Sequence, residues 1–182
     1  MLAILALIAG LVILHLRNSR PQPLPVSHVR QVSKQAPTPV ATPCNGIQDK
    51  TIIVSITQRH LWACAEGKRA YDSPVVTGYM GDPSNLTPVG TYKIYAKQTD
   101  QYLTGTDDLG SWNDYVHYWM PFLDNQYGAY GFHDATWRSD SAFGNIDPNS
   151  KDASHGCVEL PLATAKWLYD WSSVGTTVIV RA

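Results

Sequence analysis

Cysteine is scarce in this chain. It occurs three times in 182 residues, at Cys44, Cys64 and Cys157, and never as Cys-x-x-Cys. The usual signature of a thiol–disulfide oxidoreductase is therefore missing. His15, His28, His60 and His117 are scattered without ligand spacing, which argues against a zinc site. No internal repeat is present. Acidic residues are absent from positions 1–48, where Arg17, Arg20, Arg30 and Lys34 stand alone. After position 48 basic residues are the minority, ten against fifteen acidic ones, a net of −5. A globular part of that sign lacks the basic face that phosphate neutralisation requires, so nucleic acid is excluded as the expected partner.

A long apolar run occurs once, at residues 1–16, interrupted only by His15. As a helix it would rise about 24 Å, a little short of the roughly 30 Å hydrocarbon core. It reads as an N-terminal transmembrane anchor or signal segment, and the lack of an Ala-x-Ala-like cleavage site favours the anchor. The arginines that follow it favour a cytoplasmic position for that side. A cell-surface location requires the opposite orientation. Residues 17–48 hold six of the twelve prolines and read as an extended, semi-rigid spacer. Residues 49–182 are the expected folded domain. An odd cysteine count in an exported chain suggests one pair and one free thiol. Cys44 and Cys64 are the candidate disulfide, and Cys157 is the candidate free thiol.

Within the domain, β-branched and aromatic runs separated by turn residues predict strands. They fall at 51–57, 60–64, 73–79, 90–96, 115–122, 128–133 and 176–181. A single convincing helix is expected over 161–171, with Pro161 at its first position and Gly175 beyond its end. Leu162, Ala165, Leu168 and Trp171 lie near one face. Trp167 and Trp171 read as helix-packing residues. The expected class is mainly β.

The chemistry concentrates in Ser154-His155-Gly156-Cys157. A nucleophilic thiol needs access and a neighbouring base. Gly156 permits close backbone approach, so that nearby amides can converge on one point, as an oxyanion site requires. Upstream, Gly131-Phe132-His133-Asp134 places a histidine at the end of a predicted strand, where a rigid sheet suits a general base. Residues 135–153 read as a polar loop able to cover a cleft. Tyr102 and Trp112, in what reads as a Gly/Asp-rich loop, are candidates for a substrate platform. Tyr118 is a weaker one, because the run Tyr115, Tyr118, Trp119 and Phe122 reads mainly as core. Asp107 and Asp108 read as solvated loop acids.

On these residues the chain resembles the L,D-transpeptidase family, the YkuD-type catalytic domain of bacterial cell walls. The family pattern of a His followed, after a variable gap, by Ser/Thr-His-Gly-Cys stands here as His133 and Ser154–Cys157. Thr87-Pro-Val-Gly-Thr-Tyr92 is similar to the family's Thr-Pro-x-Gly-x-aromatic stretch. Residues 53–61 resemble its opening hairpin, and Tyr118-Trp-Met-Pro-Phe122 the strand before its histidine. The ordered set covers about residues 50–182.

The resemblance implies a β-sandwich of mixed sheets with one helix after the cysteine. It implies Cys157 as nucleophile, His133 as base and the Asp134 carbonyl as orienter of the imidazole. The amides of His155, Gly156 and Cys157 would hold the oxyanion, and Ser154 and His155 would shape the pocket. The implied reaction is attack on the carbonyl of the third stem residue of peptidoglycan, a diamino acid, with release of terminal D-Ala and transfer of the acyl group to an amine. No metal or organic cofactor is implied. Peptidoglycan stem peptides are the implied partners, and carbapenems the implied covalent inhibitors of Cys157. The implied location is extracytoplasmic.

Two positions depart from the pattern. Asp134 follows the histidine where glycine is frequent. Glu159 stands where asparagine or arginine is common, and a carboxylate there disfavours a nearby thiolate unless it points away, pairs with a cation or reads the substrate's amine. Two other functions share these residues. With water as acceptor the same acyl-enzyme is an L,D-carboxypeptidase. With a thiol spoiled by Glu159 the domain is a peptidoglycan-binding module.

Overall fold

The computed structural model describes residues 43–107 and 110–182. The expected anchor at 1–16, most of the expected spacer at 17–48, and Asp108 lie outside the described residues. Among the described residues no helix is long and apolar enough to cross a membrane.

Two mixed sheets face each other over one core. The first has the order β3-β2-β1-β9-β4, built from β1 (Thr51–Ser55), β2 (His60–Ala65), β3 (Lys68–Pro74), β4 (Gly90–Lys93) and β9 (Thr177–Arg181). The second has the order β5-β6-β7-β8, built from β5 (Gln98–Asp107), β6 (Gly110–Asn125), β7 (Gly128–Asp134) and β8 (Val158–Leu160). The helix α1 (Leu162–Trp171) links β8 of the second sheet to β9 of the first.

β1 is central, antiparallel to β2 and parallel to β9. All five of its residues are buried. Strand alternation explains why it has no polar face. Ile52 and Val54 point into the main core with Met120, Phe132, Leu160 and Leu168. Ile53 points the other way, to a second cluster with Trp62, Cys44 and Cys64. The outer face of the sheet therefore has its own cover, supplied by the turn at 43–48. That turn is fastened covalently by the Cys44–Cys64 disulfide, with Cα atoms 5.2 Å apart and within ordinary disulfide reach. Glu66 and Gly67 amides add bonds to the Gln48 and Ile47 carbonyls. The last residues of the expected spacer, 43–48, thus pack on the domain.

The strands differ from the sequence expectation in three places. The third predicted strand, 73–79, lies five residues too far along, since the observed strand is Lys68–Pro74. Pairing with β2 begins at Lys68 and ends at Pro74, and beyond it Val76 and Gly78 make only single bridges, to Glu159 and Ser154. The expected loop around Tyr102 and Trp112 is instead a long hairpin of β5 and β6, paired from Gln98–Trp119 to Asp107–Gly110. Its threonines and aromatics suit strands, but its Gly and Asp content masked them. The three-residue β8 is too short for a periodic signal. Pro161 sits as the cap before α1 rather than as its first residue. Trp167 stacks on Tyr71 and on Trp171.

Thiol counting under denaturing, non-reducing conditions should find one free cysteine, Cys157. Replacing Cys44 and Cys64 by serine opens a 20-residue link and should lower the unfolding free energy by about 3 kcal/mol in urea titrations.

Candidate active site

Pairing of β7 with β8 builds the site. The strands run parallel, with Phe132 beside Val158, His133 beside Glu159 and Asp134 beside Leu160. Alternation then puts Cys157, two residues before Glu159, on the same face as Glu159 and His133. On the other side of β7, Trp119 of β6 is the partner of His133. These residues line a cavity of about 280 Å³, closed on one side by Tyr102, Asp107 and Trp112 of the β5–β6 hairpin.

His133 is buried, with its ring near those of Trp119 and Trp137. Its Nδ1 lies 2.9 Å from the Asp134 carbonyl oxygen. A carbonyl only accepts, so Nδ1 carries a proton and Nε2 is the nitrogen left for the cavity. Burial, the largest single influence, disfavours the charged ring. The hydrogen bond and charge of Cys157, the charge of Glu159 and the Asp134 carbonyl together outweigh it, raising the pKa of His133 from 6.5 to about 9.

Cys157 is half-buried, the free thiol among the described cysteines, with its sulfur 3.8 Å from the Ala129 carbonyl oxygen. Its loop is held rigidly from several sides. Ser154 Oγ donates to the Cys157 carbonyl at 2.6 Å and accepts from the Gly156 amide at 3.2 Å. Thr87 Oγ1 donates to the Gly156 carbonyl and accepts from the Gly78 amide, both at 2.8 Å. Gly156 has φ +111°, and a Cβ there would lie 2.4 Å from the Tyr130 ring. A Cβ on Gly78 would lie 2.7 Å from the Gly156 Cα. Both close approaches require glycine.

His155 turns its ring onto Trp112, stacked with centroids 4.1 Å apart. Its Nδ1 meets Asp107 Oδ2 at 2.6 Å, an oxygen that also accepts from Asn85 Nδ2 at 2.7 Å. Trp112 can lie flat there because its cross-strand partner is Gly105, whose missing side chain leaves room for the indole. Asp107 is therefore not a solvated loop acid. Its side chain is 6% exposed and ties the hairpin to the Ser154–Cys157 loop.

Several other expectations need placing. Tyr102 and Trp112 line the cavity. Tyr118 does not. It is on the opposite face of β6 from Trp119 and packs against Tyr169 of α1, so a platform role for Tyr118 is corrected to a packing one. The Asp134 carboxylate, fully buried, accepts from His117 Nδ1 and from the amides of His117 and Tyr118. It braces β6 against β7, a role for Asp134 and His117 that no local pattern signals. Glu159 pairs with Arg138 through both carboxylate oxygens. Arg138, Asn85 and Thr87 were not singled out from sequence as site residues. Only Thr87 carried a signal, as part of Thr-Pro-x-Gly. Among the described residues no group of three or more His, Cys, Asp or Glu is arranged to hold a metal ion.

The family model described as the L,D-transpeptidase catalytic domain, YkuD, matches residues 49–180. Among solved structures, an L,D-transpeptidase of Enterococcus faecium, a mutant with serine in place of a cysteine, has a TM-score of 0.64 at 30% identity, over 74% of this chain and 50% of that one. The catalytic domain from E. faecium L,D-transpeptidase has a TM-score of 0.63 at 30% identity, over 75% of this chain and 100% of that one. The same domain acylated by ertapenem has a TM-score of 0.60 at 32% identity, over 74% and 98%. The chain spans half the length of the first of these. No curated protein matches it. With a cysteine and a histidine brought together on a mixed sheet, and a matching family model over most of its length, this chain belongs to the L,D-transpeptidase catalytic-domain family.

Proposed function

We propose that this chain is an extracytoplasmic peptidoglycan L,D-transpeptidase in which Cys157 is the nucleophile and His133 the acid–base residue. The observation that carries this is the pairing of His133 with Cys157 in a cavity, with the imidazole oriented by the Asp134 carbonyl. The Cys157 thiolate attacks the carbonyl carbon of the third stem residue, a diamino acid. Amides of His155 and Cys157 stabilise the oxyanion. The Gly156 amide, expected to join them, is engaged by Ser154 Oγ. The His133 imidazolium gives its Nε2 proton to the departing D-Ala amine, leaving a thioester on Cys157. Neutral His133 then takes a proton from the incoming amine, which attacks the thioester and releases the thiolate. Ser154 shapes the loop, and Tyr102 and Trp112 form the platform for the stem peptide. Extracytoplasmic residence is supported by the Cys44–Cys64 disulfide, a bond that persists in oxidising compartments.

Incubation with a carbapenem should add one inhibitor mass to Cys157, as read by peptide mass spectrometry. The relative acylated by ertapenem supports this expectation. Failure of the folded protein to take up the label would leave the peptidoglycan-binding reading. With a tetrapeptide donor, D-Ala release that consumes an added acceptor amine identifies transfer, whereas release of tripeptide alone identifies a carboxypeptidase.

Removing the base in His133→Ala should slow donor turnover about 10²- to 10⁴-fold. The folded pKa of His133 is raised, so its proton is retained through neutral pH and lost as pH passes about 9. The stability gained from that proton is complete below pH 6.5 and disappears over the same rise. D-Ala release should accordingly decline above about pH 9. Thr87→Val strips partners from the buried Gly78 amide and Gly156 carbonyl. It should cost about 2–4 kcal/mol in urea unfolding and slow carbapenem acylation.

A further inference from the structure

Glu159 lies in the cavity beside the proposed nucleophile. Register puts it opposite His133, and alternation puts it on the Cys157 face of β8. Its side chain is 6% exposed. A lone carboxylate so placed would repel the thiolate and lack solvent to stabilise it.

Arg138 answers both problems. Its Nη2 donates to Glu159 Oε1 at 3.2 Å and its Nε to Oε2, the two-pronged geometry in which guanidinium and carboxylate pair best. Arg138 is itself well covered, with 15% of its side chain exposed. It is also anchored to the same sheet. The Arg138 amide donates to the Ala135 carbonyl, and the Ala135 amide to the Leu160 carbonyl of β8. The guanidinium therefore arrives from the turn after β7 while its partner arrives from β8. The charged and titratable groups around His133 are Cys157, which precedes β8, and Glu159 of β8, with Arg138 behind Glu159; Tyr95 and Tyr130 also lie near Cys157. The Asp134 carboxylate is directed at His117, and Trp119 and Trp137 are neutral.

We propose that Arg138 is a positioning residue for the acyl transfer: it neutralises the Glu159 carboxylate so that Cys157 can ionise beside it. This rests on the reading of Cys157 as nucleophile. It turns the departure at position 159 into half of a compensated pair whose other half is 21 residues upstream.

The test uses the single free thiol, alkylated by iodoacetamide across a pH series in the full chain, with thermal melts to establish folding. Arg138→Met should slow alkylation at pH 7 at least tenfold and move its pH midpoint up by about one unit, the equivalent shift for a tenfold change. Glu159→Gln should stay within about threefold of the parent, since it removes the repelling charge. The double variant, Arg138→Met with Glu159→Gln, should return to within about threefold of the parent. Arg138→Lys, which keeps the charge, should do the same. A recovery of this kind requires that the harm in Arg138→Met come from an exposed carboxylate charge, which a purely structural role would not produce.

Equal rates in Arg138→Met and the parent overturn the proposal. So does a double variant, or Arg138→Lys, as slow as Arg138→Met. If Arg138→Met does not fold, the double variant and Arg138→Lys decide alone: both within threefold supports the proposal, and either one tenfold slow overturns it. The reading of Cys157 as nucleophile fails separately, by absence of a carbapenem adduct on the parent protein.

Discussion

Two short parallel strands hold the site together. β7 and β8 meet over three residue pairs, yet this contact joins segments separated by the whole 135–157 stretch. Because side chains alternate along a strand, a slip of one residue in this register would send Cys157 and Glu159 to the face opposite His133. The register is secured from both sides. Ala135 bonds Leu160 at the end of the pair, and Glu159 bonds Val76 through both amide and carbonyl. Val158 and Leu160, between the cavity-facing positions, are buried in the main core. Core packing thus sets the phase of the cavity residues, and a three-residue strand is enough because its alternate residues have no other place to go.

Around this register, buried polar contacts reduce the freedom of the loop that carries the thiol. Ser154 is donor and acceptor to backbone groups of that loop, and Thr87 donates to its Gly156 carbonyl while accepting from the Gly78 amide, so neither hydroxyl is left with an unmet bond. The Asp107–His155 pair and the Trp112 stack extend the same control to the hairpin wall. For the proposed nucleophile such bracing matters, since acyl transfer depends on near-contact geometry that a mobile loop would lose. Asp134 divides its two functional groups between tasks. Its carbonyl faces the imidazole of His133 and its carboxylate braces β6.

Much of the frame was legible in local sequence. The β-branched run at 51–55 and its return at 60–64 declared the opening hairpin. Pro161 and Gly175 bracketed the helix, and the odd cysteine count pointed to Cys44–Cys64. Other elements were not legible for reasons rooted in the same physics. The β5–β6 hairpin carries Gly105 and several Asp and Asn residues, which read as loop although Gly105 is there to admit the Trp112 ring. Tyr118 looked like its neighbour Trp119, but adjacent strand residues face opposite sides, and only the pairing with β7 says which side is the cavity.

The sequence by itself determined the residue types proposed to react and their order: a histidine closing a strand, Ser-His-Gly-Cys after a polar loop, and strands enough for two sheets. These are encoded in neighbouring residues, where propensity and motif spacing act directly. The tertiary structure alone decided which distant charges share the cavity. Arg138 meets Glu159, and Asp107 meets His155, because strand register and sheet stacking bring them together across 21 and 48 residues. No local pattern carries that information, since the energy of each pair exists only once the backbone between its members has folded.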